Sequence, residues 1–340
     1  MKVALKVCFL FIGTSIGAGF SSGREIALFF GGMSPWCVAL SGVFIALICG
    51  LFLVGGKYDL IPSGIAVKVA TFIAGAVSLV SMLAGGEKIM FDLTGVHLLG
   101  LVMMLVGGVV VTLGIEKIKW ANTLLIPLLI TMMIVIFIRL GAPIYSGKWS
   151  MTKPVHYAGL DVLLAGMLLS REGKKLSGKQ IGLTVVAIGV FMFVILFVLQ
   201  NVVLSDKTSA SMPVLAVSKE VGLTIASGVL IASAIFTTMI GALETVTIYV
   251  TDVLSKSKKL HPLAQPKNKC FVVLACLLIF YPISFLGFEK IVDTCYPFVS
   301  ACGIVLTVYL LVKTLSFCIK KRRATMGARR KNRCVESTNQ

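Results

Sequence analysis

Long apolar segments constrain this 340-residue chain more than any other feature. Of its residues, 57% are apolar and only 14% are charged, whereas an ordinary soluble domain has about 25% charged residues. A transmembrane helix needs about 20 predominantly apolar residues. The chain is therefore predicted to be an all-α integral membrane protein, which excludes soluble enzymes and nucleic-acid-binding modules. We count ten such segments, at residues 3–30, 36–54, 64–90, 96–113, 120–140, 154–170, 181–201, 223–251, 270–287 and 291–319.

The net charge of +18 comes from 32 Lys and Arg residues against 14 Asp and Glu residues. If the N-terminus is cytoplasmic, ten spans place 24 of the 32 basic residues on the cytoplasmic side. Cytoplasmic loops of membrane proteins carry such an excess, so the charge indicates topology, with both termini cytoplasmic, rather than a nucleic-acid partner. Residues 1–319 are predicted to form the membrane domain, and the basic tail at 320–340 is predicted to lie on anionic lipid.

The first segment contains a cluster of small residues that is unfavourable for a continuous helix. Four glycines and four hydroxyl residues lie between Gly13 and Gly23, and each glycine costs about 1 kcal/mol relative to alanine. The alternative is a helix-packing face, but these glycines lie on more than one face and Arg24 and Glu25 follow them. We therefore predict a discontinuous helix, whose free carbonyls can coordinate a cation and whose free N–H groups can hold an anionic group.

The sixth segment is also interrupted by glycine, at Gly159 and Gly166, and carries Asp161 between them. Paired interrupted spans in two halves of a chain are typical of inverted-repeat transporters. We predict discontinuity in spans 1 and 6 and a 5+5 inverted repeat, with repeat one at about 1–140 and repeat two at about 154–319.

A shared pattern in the third and eighth segments supports this repeat. Residues 81–87 and 238–244 both read hydroxyl, Met, aliphatic, two small residues and, at the last position, an acid. Opposite orientations would place Glu87 near the outer face and Glu244 near the inner face.

Residues 17–26, Gly-Ala-Gly-Phe-Ser-Ser-Gly-Arg-Glu-Ile, followed by Phe29 and Phe30, resemble the opening of YkvI-type bacterial membrane proteins. Weaker matches are residues 81–86, Pro127, Pro213 and 236–238. The resemblance implies an amino-acid permease of the amino acid–polyamine–organocation superfamily, with the LeuT-type fold and a bacterial cytoplasmic (inner) membrane location. The chain departs from the family at Arg24, where Gln is frequent, and at Asp161, where the family has an amide.

The resemblance also implies a sodium-type cation site between the first and eighth spans. By position, its ligands would be the carbonyls of Gly13, Ile16 and Ala234 and the hydroxyls of Thr237 and Thr238. The alternative for paired threonines in a helix is a hydrogen bond to the preceding turn.

The substrate would then lie at the breaks of spans 1 and 6. If it is an amino acid, we expect the Ala18 and Gly19 N–H groups to bind its carboxylate, and the Asp161 carboxylate or carbonyls near Thr14 to bind its ammonium. The predicted substrate-binding residues, including two aromatic residues that would cover the pocket, are Thr14, Ser15, Ala18, Gly19, Phe20, Tyr157, Asp161 and Phe236.

Ionisable residues within a bilayer are costly and are usually functional or paired. Asp293, in the first turns of the tenth span, is a predicted partner for Arg24 in an outer gate. Glu25 and Glu244 are candidate proton carriers, and Glu87 is a further predicted coupling acid. For all these acids the alternative is structural pairing with buried polar groups.

Together these features predict a cation-coupled secondary transporter of a small amino acid or related amine, with Na⁺ or H⁺ as the coupling ion. We expect alternating access, a midplane site, no cofactor and no metal. The alternative is a transporter-fold receptor that binds an amino acid and signals without net transport. An enzyme is not expected, because no paired catalytic acid–base set or metal cluster is found. ATP-driven transport by this chain alone is not expected, because no nucleotide-binding loop is found.

Overall fold

The computed structural model of the chain describes residues 2–61, 64–113, 116–141, 145–256, 261–265 and 268–338. These residues are almost entirely helical, as the apolar segments predict. A short 3₁₀ helix, His261–Ala264, precedes α12. The α-helices are α1 (Lys2–Ser15), α2 (Ala18–Ser21), α3 (Arg24–Phe30), α4 (Pro35–Lys57), α5 (Ile65–Thr94), α6 (Leu99–Leu113), α7 (Glu116–Leu140), α8 (Thr152–Gly173), α9 (Gly178–Leu204), α10 (Pro213–Glu220), α11 (Thr224–Ser255), α12 (Lys269–Ser284) and α13 (Phe288–Thr338).

Every one of the ten apolar segments overlaps a helix or, for the first segment, a broken helix. Among the described residues, five helices are long and apolar enough to cross a membrane: α4, α9, α11, Val67–Thr94 of α5 and Phe288–Lys320 of α13. The chain is a multi-pass membrane protein. The count of ten crossings stays a prediction.

The first span is interrupted where the sequence predicts it. Helix α1 ends at Ser15, and Gly17 is extended, with φ −101° and ψ −165°. A second interruption separates α2 from α3 at Gly23, whose φ of +81° lies in the left-handed region. A Cβ at Gly23 would also lie 2.9 Å from Val203 Cγ2, so glycine is required there for both conformation and space.

The sixth span is not interrupted, and the prediction of a discontinuous helix 6 is wrong. Helix α8 runs without a break from Thr152 to Gly173. Its glycines serve close packing instead: a Cβ at Gly159 would lie 2.7 Å from the Ser300 carbonyl oxygen, and one at Gly166 would lie 2.7 Å from the Phe52 ring. Small residues in membrane helices allow such close approach of neighbouring backbones.

The broken first span lies in the interior of the bundle. Helix α1 packs on α7, α8 and α9, α2 packs on α5 and α11, and α3 packs on α9. Around the break, the side chains of Phe11, Ile12, Ile16, Ala18 and Phe20 are buried. The surrounding helices pair closely, α4 with α8 and α9, α5 with α11, and α8 with α13. Unpaired backbone at the break is thus enclosed by protein, the setting in which a membrane helix tolerates it.

Helix α13 continues past the predicted end of the tenth span. The predicted basic tail, 320–340, begins inside this helix, which reaches Thr338. The side chains of 321–340 lie outside the described residues.

Candidate functional site

The break after α1 changes the hydrogen bonds of the backbone on both sides. In a continuous helix, the N–H groups of Gly17 and Ala18 would bond the carbonyls of Gly13 and Thr14. Instead, Gly17 N donates to Ser15 O at 2.9 Å, and Ala18 N donates to Met82 Sδ at 3.1 Å. The carbonyls of Gly13 and Thr14 therefore lose the N–H groups that a continuous helix would supply.

Backbone N–H groups after the break also lack the acceptors that a continuous helix would supply. Among the described residues, the N–H groups of Gly19 and Phe20 have no backbone acceptor, as expected for the first residues of a new helix. Ala18 N already has an acceptor, but a thioether sulfur accepts weakly. The break therefore presents carbonyls and N–H groups within a few residues of each other.

Helix α11 supplies hydroxyl oxygens to the same region. Thr238 Oγ1 donates to the carbonyl oxygen of Ile16 at 2.9 Å, across the interface between α1 and α11. Thr237 Oγ1 donates to the carbonyl of Ala234 at 3.1 Å, within its own helix. The predicted cation ligands Ile16 and Thr238 are therefore in direct contact. For a cation to bind, each hydroxyl would turn its proton away from the carbonyl and present a lone pair.

A cavity of about 130 Å³ adjoins these oxygens, between α1, α5, α8 and α11. This volume is several times the roughly 30 Å³ that one water occupies in the liquid. Its polar side chains are all hydroxyls. The lining residues are Gly13, Thr14, Thr71, Ala74, Gly75, Ser78, Leu163, Thr237, Thr238, Gly241, Ala242 and Thr245.

Two carboxyl groups are buried on another side of the break. The side chains of Glu25 in α3 and Asp161 in α8 are only 3% and 1% exposed. Glu25 folds back over the α2 backbone, so that its Oε2 lies 2.8 Å from the position of a Cβ at Gly19. The two carboxyls are close enough for their charges to interact.

Hydroxyl groups border this acid pair. The Tyr157 hydroxyl lies beside Glu25, and the Ser15 hydroxyl lies beside Asp161. However, Tyr157 OH, Ser15 Oγ and Asp161 Oδ2 are all buried and have no hydrogen-bond partner of normal geometry within the described part of the chain. Buried polar atoms usually have a partner, so these three atoms can bond a ligand.

Aromatic packing positions Tyr157 between α8 and α3. Its ring makes edge contacts with Phe29 and Phe30, with centroid distances of 5.6 Å and 4.9 Å.

Thr14, a further predicted substrate residue, donates its hydroxyl to the carbonyls of Leu10 and Phe11 at 2.8 Å and 2.9 Å. Phe236 lies elsewhere, because its ring faces Gly107 of α6.

An ion-pair cluster joins α3 to the beginning of α13. Arg24 Nε donates to Asp293 Oδ1 at 3.1 Å, and the guanidinium also contacts Asp293 Oδ2. The same guanidinium pairs with Glu289 at 2.7 Å, and Ser211 Oγ donates to Glu289 at 3.1 Å. The Arg24 side chain is largely buried, whereas the two acids are more exposed. The partner predicted for Arg24 from sequence is thus in contact with it.

The other two predicted coupling acids lie in local structural contacts. Glu87 accepts the N–H groups of Leu98 and Gly100 at 2.7 Å and 3.0 Å, at the beginning of α6. Glu244 pairs with Lys269 of α12 at 2.9 Å.

Sequence reasoning missed three residues, two at the break and one in the ion-pair cluster. Met82 accepts the N–H of Ala18, and Tyr296 lies 3.1 Å from the position of a Cβ at Gly19 and shares a 3.0 Å hydrogen bond with Ser81. The third, Glu289, lies one helical turn before Asp293, and that spacing could have identified it.

The sequence matches no protein-family model and no curated protein. Solved structures with the same fold include two of Mhp1. Mhp1, a nucleobase-cation-symport-1 family transporter, in a closed conformation with bromovinylhydantoin bound, has a TM-score of 0.59 at 15% identity, over 86% of this chain and 74% of Mhp1. The inward-facing conformation of Mhp1 has a TM-score of 0.52 at 15% identity, over 85% of this chain and 75% of the other. The chain therefore has the LeuT-type fold of Mhp1.

Proposed function

We propose that this chain is a cation-coupled secondary transporter of a small amino acid or related amine, working by alternating access. The observation that carries the proposal is the break in the first span, which is enclosed by protein within a fold shared with a cation symporter. Broken helices at such a site, with free carbonyls and N–H groups, are the usual binding elements of secondary transporters.

The substrate is proposed to lie between the break and α8. Its carboxylate would accept hydrogen bonds from the N–H groups of Gly19 and Phe20. Its ammonium would bind Asp161, with the carbonyl of Thr14 nearby. This differs from the prediction in one respect: Ala18 N donates to Met82, so Phe20 replaces it as the second donor. A related amine that has no carboxylate would bind only through its ammonium group, to Asp161 and the carbonyl of Thr14.

The coupling cation is proposed to bind where α1 meets α11. The supporting observation is the contact between Thr238 Oγ1 and Ile16 O, with the carbonyl of Gly13, which has lost the N–H of Gly17, at the same cavity. The Ala234 carbonyl and the Thr237 hydroxyl would complete a set of five neutral oxygens. A set without a carboxylate suits a monovalent cation, and Na⁺ is the proposed ion.

The cluster of Arg24, Asp293 and Glu289 is proposed to act as an outer gate. It joins α3, directly after the break, to α13. Opening the site to the outside would require these two helices to separate, so the ion pairs would hold the closed state.

The repeat and orientation are part of the same proposal. Four of the five helix pairs that lie five spans apart in the predicted order pack on each other: α1 with α8, α4 with α9, α5 with α11 and α6 with α12. Such pairing supports a 5+5 inverted repeat, in which equivalent helices meet at a two-fold axis. With ten crossings, the distribution of basic residues places both termini in the cytoplasm, and a bacterial inner membrane is the proposed location.

A thermal-stability screen of amino acids and amines, run in sodium and in potassium salts, tests the binding part of this proposal. We expect a small amino acid or amine to raise the melting temperature, and to do so more in sodium. A ligand that stabilises equally in both salts would count against the sodium site. Saturable binding without accumulation in vesicles would indicate a receptor instead.

A further inference from the structure

We infer that Glu25 and Asp161 hold one proton between them and that the ammonium group of the substrate displaces this proton when it binds. The inference rests on the proposed function for the location of the substrate. It adds a proton-exchange site, distinct from the oxygens that α1 and α11 present to the coupling cation.

The first observation is the position of the pair. Glu25 lies over the Gly19 backbone and Asp161 lies beside Ser15, so the two carboxyls flank the break from α3 and from α8. Both side chains are buried, and their charges interact. The Ser15 and Tyr157 hydroxyls, each buried and without a hydrogen-bond partner of normal geometry among the described residues, lie beside the pair.

The second observation is that the described neighbours of the pair supply no positive charge. Tyr157 of α8, Tyr296 of α13 and Cys49 of α4 are the titratable side chains that face it, with Cys8 of α1 beyond Cys49. The adjacent Arg24 is directed instead to the two acids of α13. The side chain that α9 presents to the end of α3 is the neutral amide of Gln200, bonded to carbonyls.

Elementary electrostatics then determines the protonation of the pair. Burial and the interaction between two like charges both disfavour ionisation of both carboxyls, and no cation among the described neighbours compensates. One proton leaves one carboxyl and one carboxylate, with a net charge of −1. When an ammonium group binds, the proton passes to water and both carboxylates pair with the cation, so the net charge is again −1. Replacing the proton by an ammonium group therefore leaves the net charge of the buried pair and its bound cation unchanged.

The hydroxyls favour the same exchange. An ammonium group has three N–H donors and no acceptor, and the Ser15 and Tyr157 oxygens can accept from it. A returning carrier that has released its amine would rebind a proton at the pair. Amine and proton would thus move in opposite directions at this site.

Infrared spectroscopy of the full chain in lipid tests the inference without transport. In potassium chloride at neutral pH, we expect a C=O band from one buried protonated carboxyl. Ammonium chloride should remove the band, whereas tetramethylammonium chloride, which has no N–H donor, should leave it. A band that is absent from the start, or that persists in ammonium chloride, would overturn the inference.

Single isosteric variants assign the band. In Asp161→Asn and in Glu25→Gln, the remaining carboxyl no longer faces a second acid, so the band should disappear at a lower pH than in the wild type. Glu244→Gln, which changes an acid paired with Lys269, is the matched control and should leave the titration unchanged. If the band disappears at the same pH in the wild type and in both single variants, the two carboxyls do not share a proton. If the wild type shows the expected band and its removal by ammonium chloride but takes up no amino acid or amine, the result would count against the proposed function and not against the shared proton.

Discussion

Gly19 illustrates how tightly single residues are constrained at the break. A Cβ there would lie 2.8 Å from Glu25 Oε2 and 3.1 Å from both Glu25 Cβ and Tyr296 Cε2. The missing side chain leaves room for the carboxyl of Glu25 to lie against the backbone. Among the described residues the N–H of Gly19 has no backbone acceptor, and the absence of a side chain keeps this donor accessible.

Gly19→Leu should abolish stabilisation by any ligand that the thermal screen identifies, because the leucine side chain would occupy the space between Glu25 and Tyr296. The matched control is Gly182→Leu, in α9, where a Cβ would meet nothing within 4 Å. Ligand-induced stabilisation that survives in Gly19→Leu would show that the ligand does not bind at the break.

Thr238→Val tests the cation site with little change in volume. The variant loses the hydrogen bond to Ile16 O, with a cost of about 1 kcal/mol in stability, and loses one proposed sodium ligand. We expect the difference in melting temperature between sodium and potassium to disappear. Thr131→Val, which removes an exposed hydroxyl bonded to Pro127 O, should retain the difference. A sodium effect of wild-type size in Thr238→Val would exclude Thr238 as a ligand.

At the scale of helices, the first and sixth spans, both predicted to be interrupted, show what the sequence can and cannot predict. The break in the first span was predictable, because glycines and hydroxyl residues are concentrated on several faces and a charged pair follows. In α8, glycines at 159 and 166 carry the same local signal, yet they serve close packing on Ser300 and Phe52. Sequence cannot distinguish these two uses, because the difference lies in the neighbouring helices.

Gly159→Ala separates packing from flexibility in α8. In an isolated helix, alanine would add about 1 kcal/mol of stability. Here its Cβ would lie 2.7 Å from the Ser300 carbonyl oxygen, so we expect a loss of about 1–3 kcal/mol, typical of overpacking. The melting temperature should fall in Gly159→Ala and stay the same or rise in Gly182→Ala. Equal stability of Gly159→Ala and the wild type would argue against close packing of α8 on α13.

The ion pairs of Arg24 connect two helices, α3 and α13. Asp293→Asn removes one of the two carboxylates that pair with Arg24. We expect faster hydrogen exchange of the backbone amides of α2 and α3, because the helix junction opens more often. Glu172→Gln removes an acid of α8 that pairs with the nearby Lys175, away from this cluster, and should leave those amides unchanged. Unchanged exchange in Asp293→Asn would contradict the gate.

At the scale of the whole molecule, composition predicted the class and the helices correctly, while the details of the site depended on the tertiary fold. Apolar segments of membrane length determine the class. Contacts such as Met82 with Ala18, or Tyr296 with Ser81, join residues 64 and 215 positions apart. No local pattern predicts them, since the bundle brings the helices together.

The central claim is transport coupled to a cation that binds between α1 and α11. The most direct measurement is uptake into proteoliposomes of the ligand identified by the screen, under an inward sodium gradient and, separately, under a pH gradient. The account predicts accumulation above equilibrium with the sodium gradient, and its loss in Thr238→Val but not in Thr131→Val. Accumulation with a pH gradient and none with a sodium gradient would contradict it.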